Sequence, residues 1–312
     1  MNNQTLSAKY PETKLLAVLV TILVLVLLLL FFGPGVERGS ISVPSEVVRK
    51  TFPPIDVKAK AVYVYDARTQ TVLFAKDENT RHSLASLAKI VSVLVAEELS
   101  PLYGVVSVNE EALLTEGDNG LFRDEKWSVK DLLEFSLIAS SNDGIKAVAL
   151  SLGALSRNGI SSEEIIEDFV MEMNKKAGEL GLKNTYFLNE TGLDFEFKGG
   201  AYGTAKDMNT LLEYVLTHRP ELFTLTREST STIESLDNYS HVAKNTNVIV
   251  SEIPGVLISK TGYTNTAGGN LVFVFDPELG RPIIVSILGS TDKERFEDAR
   301  VIIKAVMDYI NT

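Results

Sequence analysis

The sequence predicts a mixed α/β (α+β) domain in which one sheet is completed by distant parts of the chain, covered by helices and interrupted by a mostly helical insert, behind an N-terminal transmembrane helix. Three observations predict it. Strand-like runs lie near residue 60 and again after residue 270, the segments between them carry helical periodicity, and one unbroken apolar run precedes them all.

That run, Leu15 to Phe32, has 18 uncharged residues. At about 1.5 Å per residue it reaches roughly 27 Å, enough for a bilayer core. It exceeds a typical signal core, and no A-x-A-like site precedes "GPGVERG", so an uncleaved anchor is favoured over a cleavable signal peptide. Lys9 and Lys14 lie on one side, and Arg38, Arg49 and Lys50 on the other, so charge alone does not orient it. Residues 1–14 then read as a cytoplasmic tail, 15–32 as the anchor, and 33–55, with four of the ten prolines, as a stalk. Residues 56–312 read as one globular domain.

Within it, "KAVYVYD" and "TVLFAKD" alternate like the strands of a hairpin around "ARTQ". A helix follows from Leu84 to Leu99. Further helices are expected at 128–138, at 142–153 and at 161–180, where "SSEE" supplies a capping box. Another is expected at 204–217. "NLVFVFD" and "RPIIVSILG" read as strands, and "DKERFEDARVIIKAVMDYI" as a closing amphipathic helix.

Composition narrows the chemistry. A formal charge of −11 with no basic stripe argues against a nucleic-acid partner. With no cysteine, disulfide frameworks, thiol nucleophiles and thiolate metal sites are excluded. Three histidines, His82, His218 and His241, leave little for a metal cluster, and neither metal nor cofactor is expected.

Ser86 and Lys89 stand three residues apart in an otherwise apolar helix, so the hydroxyl and the amine can meet. Burial disfavours an ammonium and would make the amine a base for the hydroxyl proton. The alternative is that Ser86 caps the helix while Lys89 snorkels to the surface. S-x-x-K is a weak pattern alone, and Ser290 to Lys293 matches it too. Its company is more telling. Ser140-Ser141-Asn142 precedes a helix, although Ser107 to Asn109 and Ser156 to Asn158 share its spacing, and Lys260-Thr261-Gly262 occurs once. Ser-x-x-Lys, Ser-x-Asn and Lys-Thr-Gly, in that order, form the pattern of serine penicillin-binding proteins and class A β-lactamases.

At these residues the chain resembles the low-molecular-mass D,D-peptidases, the D-alanyl-D-alanine carboxypeptidases and endopeptidases of peptidoglycan. The similarity runs from "AVYVYDARTQTVLFAKDENTRHSLASLAK" through "YGTAKDMNTLL" and "KTGYTNTAGGNLVFVF" to "STDKERFEDA". The resemblance implies a β-lactamase/transpeptidase-like fold, an antiparallel sheet flanked by helices plus a helical subdomain, with the active site in the cleft between them. It implies Ser86 as the acylated nucleophile and Lys89 as its proton acceptor. Ser140 would relay a proton to the leaving group, and Asn142 would hold Lys89 and the substrate amide. Lys260 would keep the cleft electropositive, Thr261 would help bind the terminal carboxylate, and the small Gly262 would let a strand edge lie against the peptide. The N–H groups of Ser86 and Tyr263 would form the oxyanion hole. Arg295 falls where the family often has a carboxylate-binding arginine.

Each residue also has an ordinary use. Ser140 and Asn142 could cap a helix, Thr261-Gly262 could be a turn, Lys260 a solvated edge lysine and Arg295 an exposed helical ion-pair partner. A Ser–His reading through His82 is set aside, because no G-x-S-x-G elbow exists and Lys89 fills the base role. The middle triplet is Ser-Ser-Asn rather than Ser-Asp-Asn, which moves weight toward peptidases. The expected partners are peptidoglycan stem peptides, β-lactam inhibitors and the membrane, with the catalytic domain on the extracytoplasmic side. Competing readings are an endopeptidase on cross-linked peptides, a β-lactamase using Glu190 or Asp194 for deacylation, and a non-catalytic wall-binding protein.

Overall fold

The computed structural model describes residues 12–32, 50–153 and 161–311. The chain divides into two compact units between residues 49 and 50. The first holds helix α1, Glu12–Phe32, whose apolar side chains from Leu16 to Leu28 are exposed. It coincides with the expected anchor, but its side chains are described only over 16–28. Among the described residues no helix is long and apolar enough to cross a membrane. Residues 1–11 of the expected tail, 33–49 of the expected stalk and the Ser156 to Asn158 triplet lie outside the described residues.

The second unit is built on a five-stranded sheet. The expected hairpin forms from β1, Ala61–Asp66, and β2, Thr71–Lys76. Asp66 closes its turn by accepting the N–H groups of Arg68 and Thr69, each at 3.0 Å, and its other oxygen takes Arg281 Nε at 2.8 Å. The C-terminal part supplies β3, Val256–Thr264, β4, Gly268–Phe275, and β5, Ile283–Ser290. The order is β3–β4–β5–β1–β2, and every neighbouring pair is antiparallel. Chain ends more than 200 residues apart therefore meet where Ala61 faces Leu288 and Asp66 faces Ile283. β3 is left as an edge.

Side chains alternate across this sheet and feed two cores. Val62, Val64, Phe273 and Val285 pack with Phe296, Ile302 and Val306 of the closing helix, Glu294–Asn311. Ala61, Tyr63, Val272, Val274 and Ile284 face the opposite core, with Met208, Leu211 and Val215 of the helix Ala205–His218. Each fully buried aliphatic or aromatic side chain contributes about 1.5–3 kcal/mol of transfer free energy. That second core runs into a helical layer made of α2, Lys89–Leu99, α3, Val129–Ile138, α4, Asn142–Gly153, and α5, Ser162–Glu179. Ser128 caps α3, and the predicted capping box joins Ser161 and Glu164 at the start of α5.

One departure from the sequence reading bears on the site. The helix expected from Leu84 begins instead as a 3-10 turn, Ala85–Ala88, and becomes α-helical at Lys89. Ala85 takes a left-handed φ of 50°, and the Leu84 N–H is drawn to Ala201 O at 2.9 Å, so the chain enters at an angle no continuous helix allows. The Lys-Thr-Gly segment lies inside β3, as the strand edge that the resemblance implies and not the turn weighed against it, and the Lys260 and Thr261 side chains are buried there.

Candidate active site

The entry turn is pinned from behind. Gly192, at φ 82°, packs so tightly on it that a Cβ there would stand 1.9 Å from Ala85 O. Ser86 is thereby fixed on the turn, and Lys89, the first residue of α2, is fully buried one turn on. Lys89 Nζ lies 2.9 Å from Ser86 Oγ, 2.6 Å from Asn142 Oδ1 and 2.9 Å from Thr191 O. Neither of the last two can donate a hydrogen. A neutral amine has two N–H groups and one lone pair, so these contacts match it with the lone pair left for the hydroxyl proton. Burial pushes the Lys89 pKa down to about 7, against the attraction of Glu190 and Asp143.

The Ser-Ser-Asn triplet divides its labour. Ser141 takes the cap, its Oγ accepting the Gly144 N–H at 2.9 Å and bonding Asp143. Capping thus falls to the middle residue and frees the outer two. Ser140 is turned into the cleft by a left-handed φ of 59°, and Asn142 reaches Lys89 while its Nδ2 donates to Glu116 O at 2.7 Å.

Lys260 is 1% exposed, so the solvated edge lysine is ruled out. Its Nζ donates to Ser140 Oγ at 2.8 Å and to Thr261 O at 2.9 Å. Burial, then repulsion from Lys89 and Arg295, holds its pKa well below the usual lysine value. Thr261 Oγ1 donates to Thr246 Oγ1 at 2.6 Å. Gly262 meets the entry turn directly, since a Cβ on it would lie 2.7 Å from Leu84 O and 3.2 Å from Ser86 N. Tyr263, half exposed, follows on the same edge opposite Gly269. Only two strand positions separate it from Thr261.

Arg295 is neither exposed nor free. It is 6% exposed, with Nη1 on Gly262 O at 2.9 Å, Nη2 on Asp292 at 2.7 Å and its guanidinium 4.7 Å from the Phe296 ring. Burial lowers its pKa. The guanidinium therefore holds the carbonyl between Thr261 and Tyr263. His82 sits in a two-residue strand opposite Gly203, and it is Lys89 that reaches Ser86. The two carboxylates considered for deacylation have other partners: Glu190 lies 3.5 Å from Lys146 Nζ, and Asp194 accepts the Thr266 N–H at 3.0 Å.

The structure thus gathers Ser86, Lys89 and Asn142 into one hydrogen-bonded group, Ser140 and Lys260 into a second, and sets Thr261, Gly262 and Tyr263 along the β3 edge with Arg295 behind. Sequence reasoning missed Thr246, Glu116 O and Thr191 O. The last two act through their backbones, which carry no side-chain signal, and Thr246 stands in a polar loop with no pattern to mark it.

A sequence profile described as D-alanyl-D-alanine carboxypeptidase matches residues 47–291. The D-alanyl-D-alanine carboxypeptidase DacF of Bacillus subtilis is 35% identical over 246 residues, covering 76% of this chain and 59% of that protein. DacB2 of Mycobacterium tuberculosis is 28% identical over 240 residues, 77% of each chain. The chain therefore spans less than two thirds of DacF and about three quarters of DacB2. A crystal structure of a D-alanyl-D-alanine carboxypeptidase from Mycobacterium tuberculosis superposes with a TM-score of 0.70 at 24% identity, over 83% of this chain and 95% of that one, which shows a shared fold. With the profile matched over most of its length and a relative more than a third identical, the chain belongs to the D-alanyl-D-alanine carboxypeptidase family of peptidases.

Proposed function

We propose that the protein is a serine-type D-alanyl-D-alanine carboxypeptidase acting on peptidoglycan stem peptides through an acyl-enzyme on Ser86. The observation that carries this is the buried Lys89 amine at 2.9 Å from the Ser86 hydroxyl, with its remaining contacts to acceptors only.

The stem peptide adds as a strand along the free edge of β3. Lys260, Thr261 and the Thr246 hydroxyl receive its terminal carboxylate, and the N–H groups of Ser86 and Tyr263 receive the carbonyl oxygen of the penultimate D-alanine. Ser86 Oγ gives its proton to Lys89 Nζ and bonds to that carbonyl carbon. The C–N bond to the terminal D-alanine breaks, and the leaving nitrogen takes up the proton that Lys89 received, passed on through Ser140 Oγ, which Lys260 orients, so that Lys89 is neutral again. Water then cleaves the ester, returning a proton to Ser86. Arg295 acts on this edge through Gly262 O rather than on the carboxylate itself.

A β-lactam offers the same carbonyl next to a carboxylate, so it acylates Ser86 too. The apolar sequence of 15–32 acts as a membrane anchor, with the catalytic domain on the extracytoplasmic face where peptidoglycan is found. Full-length protein is incubated with labelled penicillin and, separately, with intact muropeptides whose products are weighed. Covalent label on the wild type but not on Ser86→Ala, with loss of one D-alanine per stem, is the expected result. Conversion of cross-linked dimers to monomers would make it an endopeptidase. Absence of label on both forms would favour a wall-binding protein without catalysis.

A further inference from the structure

One buried acid beside Lys89 has no part in the steps above. Glu190 is 3% exposed, and its Oε1 stands 3.5 Å from Nζ of Lys146, four residues beyond Asn142 on α4. Its loop is stapled to α2 at two consecutive residues: Ser92 Oγ donates to Glu190 O at 2.6 Å, and Lys89 Nζ to Thr191 O at 2.9 Å. Ser92 and Lys89 are i,i+3 neighbours, so the loop lies along the helix face that carries the amine. Both staples use loop backbone. The Glu190 carboxylate takes part in neither and pairs instead with Lys146.

Acylation creates a cation in this pocket. When the Ser86 proton reaches Lys89, the new ammonium is fully enclosed, with Lys260 facing it from β3 and Arg295 behind Lys260. From α4 it meets Asn142 and the charge of Asp143, and from the loop the charge of Glu190, which Lys146 of α4 engages. Asp143 is engaged by Ser141, the Gly144 N–H and the Asn119 N–H. A buried ammonium without a counter-charge is costly.

We propose that Glu190, clamped by Lys146, is a positioning residue that supplies the counter-charge for the Lys89 ammonium during acylation, acting through Lys89 and not on the substrate. This rests on the acyl-enzyme reading above. Lys89 is drawn toward its charged form by Glu190 more than by Asp143. Lys146 engages the same carboxylate and so opposes that pull. The pair acts as a balance, and its two arms carry opposite signs.

The test is the second-order rate of acylation by a fluorescent penicillin from pH 5.5 to 9, on full-length wild type, Glu190→Gln, Glu190→Asp and Lys146→Met, with thermal melting to monitor folding. The acid limb is expected to move to lower pH in Glu190→Gln, by roughly half to one unit, and to higher pH in Lys146→Met by a similar amount, with Glu190→Asp partly restored. Limbs that stay in place, or that move in the same direction in both variants, overturn the proposal. So does a slowed deacylation with an unmoved acylation limb, which would make Glu190 a base acting on the acyl-enzyme. If Glu190→Gln fails to fold, Lys146→Met alone decides by the direction of its shift. A wild type that takes no label would remove the acyl-enzyme reading and this role together, whereas normal labelling with unmoved limbs removes only the role.

Discussion

Gly262 and Ser86 approach so closely that a methyl group on the glycine would lie 3.2 Å from the serine nitrogen, and 2.7 Å from the carbonyl of Leu84. Both obstacles are backbone, which cannot swing aside. Gly262→Ala should therefore prise β3 from the turn that carries Ser86, slowing penicillin acylation at least tenfold and costing about 1–3 kcal/mol. Gly178→Ala, in a helix with nothing within 4 Å of the added methyl, is the control and should label at the wild-type rate with equal or higher stability. Acylation kinetics and denaturant unfolding read both, and a fast Gly262→Ala would mean that the strand is not seated against the nucleophile.

The Lys89 amine, pushed to about 7 by burial, predicts a pH profile. Only the neutral amine accepts the Ser86 proton, so acylation should fall about tenfold per unit below pH 7 and level off above it. Stability follows with a definite sign. Between about 7 and the ordinary lysine value of 10.5, the unfolded chain holds a proton that the folded one lacks, so the contribution of this residue rises with pH across that window. Relative to Lys89→Met, wild type should gain unfolding free energy between pH 7 and 9.5 in urea titrations. A constant difference would show that the amine is protonated when folded.

Much of this machinery is legible in the sequence, and the reason lies in which side chains meet in the site. Ser86, Lys89, Asn142 and Lys260 act through side chains at fixed spacings, and the sequence displays them. The hairpin of β1 and β2, the capped helices and the closing helix were legible because alternation and caps are local. The Ala85–Ala88 turn was not, since its left-handed Ala85 depends on Gly192 and on the Ala201 carbonyl, more than a hundred residues away. The hairpin of Thr230–Glu234 and Ser240–Lys244 escaped as well, because "TSTIE" and "SHVAK" are mostly polar or exposed. Arg295 stands among many charges in "DKERFEDAR" and is marked out only by the resemblance; its burial and its bond to Gly262 O carry no local signal.

That burial sets its prediction. Arg295 bonds Gly262 O and Asp292, so its removal strips a buried carbonyl of its donor and leaves a hole beside Phe296. Arg295→Ala should cost about 1–3 kcal/mol and slow acylation. The discriminating measurement compares a peptide ester bearing a terminal carboxylate with one lacking it. An arginine that holds the strand slows both by the same factor. Slowing confined to the carboxylate-bearing ester would instead put the guanidinium on the substrate.

Ser140 joins two demands that substitution can pull apart. Its hydroxyl receives Lys260 Nζ at 2.8 Å, and its backbone holds a φ of 59° that disfavours any side chain. Ser140→Gly removes the hydroxyl and relieves the backbone, while Ser140→Ala removes the hydroxyl and keeps the strain. If the hydroxyl carries the proton to the leaving amine, both variants should lose peptide turnover by about a hundredfold or more, because neither can relay it. Their stabilities should diverge, with the glycine variant more stable by about 1 kcal/mol at this φ, the reverse of their order in a helix. Turnover of an acyl-D-Ala-D-Ala peptide and thermal melting give the two readings independently. An alanine variant that releases D-alanine at the wild-type rate would exclude the relay and leave Ser140 as an anchor for Lys260 alone.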